Sequence, residues 1–173
     1  MTLFHEQADV SVRPATREDA ARIAGVQLAA WRSAHAERLA GALEQLDESA
    51  FEPGWSEAIT EPPGPGHRVL VACAGARVVG FAAVRPVGEG TGELVALEVL
   101  PAEQRSGHGS RLLSAAVDSL RQDGAEALTA WVLDGDTARE QFLAGAGLGP
   151  DGRVRELATG HDTVHEHRWT AEI

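Results

Sequence analysis

The sequence predicts an α/β domain in which a mixed sheet carries helices on both faces. Three observations lead there. Apolar, β-like runs are interleaved with stretches whose apolar residues recur at helical spacing. Their order is strand, two helices, three strands, helix, strand, helix, strand. No internal repeat or low-complexity linker interrupts the 173 residues, 43% of them hydrophobic, which suits one globular domain with a sizeable core. The whole chain, 1–173, reads as that single domain, with residues 1–9 expected to be loosely ordered.

The elements follow in order. VSVRPAT, residues 10–16, alternates apolar and polar residues and stops at Pro14, as a first strand would. Thr16-x-x-Asp19 is a capping-box pattern, and behind it Ala20, Ile23, Ala24, Gln27, Leu28 and Trp31 fall on one helical face. A second helical stretch carries Leu39, Leu43 and Leu46, and EPPGPGH, residues 61–67, is a loop by composition. RVLVACA and RVVGFAAV, parted by Gly75-Ala76, read as a hairpin. RPVGEGTG is a turn-rich connection, and ELVALEVL is apolar enough for a central strand. A glycine turn leads into a helix burying Leu112, Leu113, Ala116, Val117 and Leu120, which Gly124 ends. ALTAWVL is a further strand. DTAREQFLAGAGL is a helix that Thr137-x-x-Glu140 would cap and that Gly145 and Gly147 close, and TVHEHRWTAEI is a last strand.

Composition narrows the function. With 15 basic against 26 acidic residues the net charge is −11, which disfavours nucleic-acid binding because phosphate contacts need a basic surface. An acidic field favours a cationic substrate such as an amine; serving solubility alone is the plainer reading. No apolar run approaches a membrane span, and MTLFHEQADV lacks the plan of a signal peptide. Cys73 is the one cysteine, so no internal disulfide forms. The expectation is a cytoplasmic protein with no nucleic-acid or membrane partner.

The glycine turn in VLPAEQRSGHGSRLL carries the chemistry. Free N–H groups at a helix start and the positive end of the helix dipole favour an anion. The P-loop pattern fails for want of its lysine, and the dinucleotide pattern fails because Leu112 stands where its third glycine belongs. What remains is Gln104-x-x-Gly107-x-Gly109. That motif resembles the acyl-CoA signature of the GNAT N-acetyltransferase superfamily, Arg/Gln-x-x-Gly-x-Gly/Ala. The likeness extends to Val99-x-Pro101 before it and to Leu112-Leu113 after it. WVLDGDTAREQFLAGAGL downstream and VRPATREDAARIAGVQLAAWRSAHA upstream also match, so nearly the whole chain is covered in order.

The resemblance implies a mainly antiparallel central sheet with its fourth and fifth strands splayed. It implies acetyl-CoA as acetyl donor and an amine-bearing acceptor, either a small molecule or a protein amino group, and it leaves a homodimer open. The pyrophosphate would lie on the backbone N–H groups of Arg105, Ser106, Gly107, His108, Gly109 and Ser110, beside Gln104, with Arg105 and Arg111 within reach of the phosphates. The pantetheine would pair with the edge of Leu97 to Val99. The backbone N–H of Val99 is the candidate for the thioester oxygen. In the histone acetyltransferase branch a glutamate opens this same strand and takes the amine's proton, and it falls on Glu93. Glu98, which interrupts an apolar strand, is the second candidate. Asp136 falls where the family has an asparagine near the pantetheine; the plainer reading is a helix cap.

Two departures stand out: Asp136 in place of that asparagine, and the loss of the family's tyrosine. The family's tyrosine, which protonates the CoA thiolate, is replaced by Leu143, and the chain has no tyrosine at all. The loss need not be fatal, because a thiol has a pKa of only about 8.5 and leaves readily as a thiolate. The departures also support a second hypothesis, a CoA-binding module with little or no catalysis. Of the remaining residues, Cys73 reads as a buried inert thiol. His161, His165 and His167 read as exposed strand histidines, not metal ligands. His35 borders the expected acceptor cleft, and Trp31, Trp55, Trp131 and Trp169 read as core or interface residues.

Overall fold

The computed structural model describes residues 10–160 and 162–173; the expectations for residues 1–9 and for His161 fall outside them. Seven strands form one sheet in the order β1-β2-β3-β4-β5-β7-β6. They are β1 (Val10–Pro14), β2 (Arg68–Ala74), β3 (Arg77–Gly88), β4 (Thr91–Val99), β5 (Ala127–Leu133), β6 (Gly149–Ala158) and β7 (Thr163–Glu172). Every neighbouring pair is antiparallel except β4 and β5, which run parallel. The helices are α1 (Ala20–His35), α2 (Ala40–Leu43), α3 (Glu48–Thr60), α4 (His108–Gln122) and α5 (Thr137–Gly145).

The pleat sorts each strand between two cores. On β2, Leu70 and Ala72 pack with Leu112, Ala116 and Leu120 of α4. Val71 and Cys73 turn to the other face and join Ile23 and Val26 of α1, with Trp55 and Ile59 of α3 against them. Phe81 of β3, fully buried, meets the Trp55 ring edge-on at 4.9 Å between centroids.

Most elements form where the sequence places them. Three differ. RPVGEGTG is not a long connection: β3 runs on to Gly88 and β4 starts at Thr91, so the turn is only Glu89-Gly90. α3 was not expected, because Pro53 and Gly54 break its pattern and it buries no residue fully. β6 was not expected either. GPDGRVRELA has no buried position, since it is the sheet's edge strand and is held by β7 alone, so burial imposed no alternation on it.

α1 starts at a polar knot. The Asp19 carboxylate, on a residue 8% exposed, accepts from Thr16 N (2.8 Å) and takes two bonds from the Arg13 guanidinium (2.7 and 3.0 Å). That guanidinium holds the Asp19 carboxyl below its ordinary pKa. Asp19→Asn keeps the shape but weakens these bonds, and is expected to cost about 1–3 kcal/mol, read as a lower urea midpoint at pH 7 with unchanged slope. An unchanged midpoint would show that α1 is anchored elsewhere.

Candidate active site

The site begins where two strands part. β4 and β5 pair only from Thr91↔Ala127 to Leu94↔Ala130, whereas β5 stays paired to β7 along its whole length. At the same point β4 bulges: Val84 faces Leu94 and Ala83 faces Ala96, leaving Val95 without a partner. A bulge bends its strand and increases the local twist. The second half of β4 therefore follows β3 while β5 follows β7. This is the splay the sequence led us to expect.

The parting opens a cavity of about 490 Å³ lined from four sides. β4 contributes Leu94 through Glu98, β5 contributes Ala130 through Leu133, α1 contributes Gln27, Trp31 and His35, and α5 contributes Arg139 and Leu143. Beyond Leu94 the β4 edge facing β5 has no strand against it. At its end the Val99 carbonyl accepts from Gln104 Nε2 (3.2 Å).

The glycine turn sits beside this edge. Arg105 is the one non-glycine residue with positive φ among the described residues (62°), and Gly107, the residue before α4, is also left-handed (84°). Left-handed residues interleaved with others are the backbone pattern by which successive N–H groups can converge on an anion. Among the described residues, no protein acceptor meets the N–H groups of Arg105, Ser106, Gly107, His108, Gly109 or Ser110; the first bonded amide is that of Arg111, to Gly107 O. The first amides of any helix are free, but here the run extends three residues back before α4, through Gly107 and Ser106 to Arg105. The His108 side chain takes no part, being buried at 3% exposure. A Cβ on Gly109 would stand 3.4 Å from Phe142, so α5 packs close to this corner.

Of the two carboxylates proposed as base, only Glu98 lines the cavity. Glu93 lies in the paired half of β4, is 8% exposed, and binds the Arg85 guanidinium at 2.8 and 3.1 Å. Glu98 Oε1 accepts from Trp31 Nε1 (3.3 Å) and pairs with Arg139 Nη2 (3.1 Å), while Oε2 has no protein partner among the described residues. Asp136 both lines the cavity and caps α5, accepting from Arg139 N (3.1 Å). The cap is thus one residue earlier than Thr137. Leu143, in the tyrosine's place, is fully buried against the cavity.

Sequence reasoning did not single out Arg139. Its signal was present, because it stands one helical turn before Leu143 and so shares its face. Trp31, Trp55 and Trp131, read as core or interface, line the cavity, and Trp169 alone of the four is buried in the core. A tryptophan presents one edge to a core and its N–H to a partner, as Trp55 does to Gln27 Oε1 (2.7 Å). His165 and His167 lie by Glu156 (3.3 Å) and Asp134 (3.5 Å), and no metal-binding cluster forms among the described residues.

Residues 28–148 match the Acetyltransferase (GNAT) family, and the chain belongs to it. The chain is also 33% identical over 130 residues, covering 72% of each chain, to the uncharacterized N-acetyltransferase YuaI of Bacillus subtilis. The fold is shared with PaiA N-acetyltransferase of Thermoplasma acidophilum in complex with coenzyme A (TM-score 0.69, 15% identity, 95% and 99% of the two chains). It is shared too with ribosomal-protein-alanine N-acetyltransferase of Brucella melitensis (TM-score 0.70, 22% identity, 94% and 99%).

His35 is 9% exposed and its Nδ1 is buried with no partner, while Nε2 lies 3.7 Å from Asp136. Burial pushes the imidazole below its ordinary pKa, against the pull of Asp136 and Glu98. A group depressed in the folded state stabilises it above its unfolded pKa, here 6.5, and that contribution is lost as pH falls through the folded value. Thermal unfolding is therefore expected to show stability declining from pH 7 toward pH 5, with a shallower decline in His35→Gln. Parallel declines would place the titration elsewhere.

Proposed function

We propose that the protein is an acetyl-CoA-dependent N-acetyltransferase that passes the acetyl group directly to a primary amine, on a small molecule or a protein. The observation that carries this reading is the run of free amides at residues 105–110, set beside an unpaired strand edge at the mouth of the cavity. The amides suit a diphosphate and the edge suits an amide-bearing arm, so the residues present fit coenzyme A. Family membership supports the same donor.

Glu98 receives the amine. Its free Oε2 holds the amine, whose first proton has already passed to solvent, and takes the second proton, directly or through one water, as the neutral amine attacks the thioester carbonyl. The N–H of Val99, at the end of the same edge, is the proposed donor to the thioester oxygen as it gains charge. Glu93, engaged by Arg85 in the paired half of β4, serves the strand and not the reaction. The chain's acidic balance draws cationic acceptors toward the cleft. A second reading, CoA binding without turnover, is favoured by Leu143 in the tyrosine's place.

Calorimetry with CoA and thiol release from acetyl-CoA across a panel of amines separate the two. The expected result is CoA binding, amine-dependent release, and a fall of about 10²–10⁴-fold in kcat for Glu98→Gln with CoA binding kept. Binding with no turnover on any amine would favour the second reading, and no binding would dismiss both. Equal loss in Glu93→Gln with Glu98→Gln active would return the base to Glu93.

A further inference from the structure

We infer that Arg139 is a catalytic residue that stabilises the departing CoA thiolate by charge, in a site that has no phenol to protonate it. The inference rests on the acetyl-transfer reading above.

Arg139 projects from α5 on the same face as Leu143 and reaches across the parting to Glu98 on β4, 3.1 Å away. Its guanidinium thus spans the gap between the free β4 edge and α5, within the space that a thioester lying along that edge would enter. Only Nη2 is engaged; Nε and Nη1 have no acceptor among the described residues. The side chain is 22% exposed, so its field is only partly screened. An arginine stays charged throughout and presents several donors in a plane, enough for Glu98 and a sulfur anion together.

The charge balance of the step explains the pairing. At the outset Glu98 neutralises Arg139. The amine nitrogen forms its bond to the acetyl carbon, the carbon–sulfur bond breaks, and the electron pair leaves on sulfur. The amine's proton goes to Glu98, which becomes neutral. Arg139 is thereby released from its partner as the thiolate appears, and the cleft carries no added net charge. The thiolate gains its proton from water after departure. The other ionisable groups facing this space are His35 from α1, Asp136 from α5 and Glu166 from β7, the last held by Arg155 at 2.6 Å.

The absence of tyrosine and the single, buried Cys73 make a direct test practical. The ultraviolet absorbance of CoA thiolate, bound to the intact protein, is followed against pH. Wild type is expected to lower the midpoint from about 8.5 by at least one unit, and Arg139→Gln to restore it, with Arg139→Lys in between. With acetyl-CoA, Arg139→Gln is expected to lower kcat at least tenfold while KM for the amine stays within about twofold. CoA bound with an ordinary midpoint in wild type overturns the role of Arg139 and leaves the acetyl-transfer reading standing. Failure of wild type to bind CoA overturns both. A change in amine KM alone would show that Arg139 contacts the acceptor instead.

Discussion

The loss of hydrogen bonding between β4 and β5 beyond Leu94 and Ala130 is the constraint on which the site depends. Its cause is local. One extra residue, Val95, leaves the β3–β4 ladder out of step, and the strand bends with β3 instead of following β5. β5 cannot follow, because all seven of its residues are paired to β7. An interior sheet seldom leaves main-chain groups without partners. The unpaired edge is where the amide-bearing arm of the proposed donor would pair.

The elements around the parting are placed by ordinary packing. α4 is pinned to one face of the sheet by Leu112, Ala116 and Leu120, all within 2% of full burial. Its N-terminus, with the curled turn before it, is thereby held beside the end of β4. α1 is pinned to the opposite face by Ile23 and Val26, which brings Trp31 and His35 over the cavity. α5, capped by Asp136, closes the third side and supplies Arg139. Glu98 and Glu166 of the cleft are each paired with an arginine, Arg139 and Arg155.

What was legible in the sequence was whatever burial or backbone conformation dictates. β2, β5 and α4 announce themselves because their apolar residues must reach a core. Gly107 announces the turn because its left-handed φ favours glycine. β6 was hidden because an exposed edge has no core to satisfy, and α3 because Pro53 interrupts its period. Within the candidate site, the glycine turn could be read as a motif, since its proposed chemistry is in the backbone. The side-chain chemistry could not. Glu93 and Glu98 look alike along the strand, and only the register tells which one faces the parting and which meets Arg85. Arg139 and Trp31 are far apart in sequence, and their meeting at Glu98 is a product of the fold.

Amide hydrogen exchange in the presence and absence of CoA tests the central claim most directly. The account requires that CoA slow exchange at residues 105–110 and along the second half of β4, Ala96 to Val99, while the paired half of β4 and the β5–β7 ladder are unchanged. Exchange that is unaltered at both places, or slowed only elsewhere on the molecule, would contradict it.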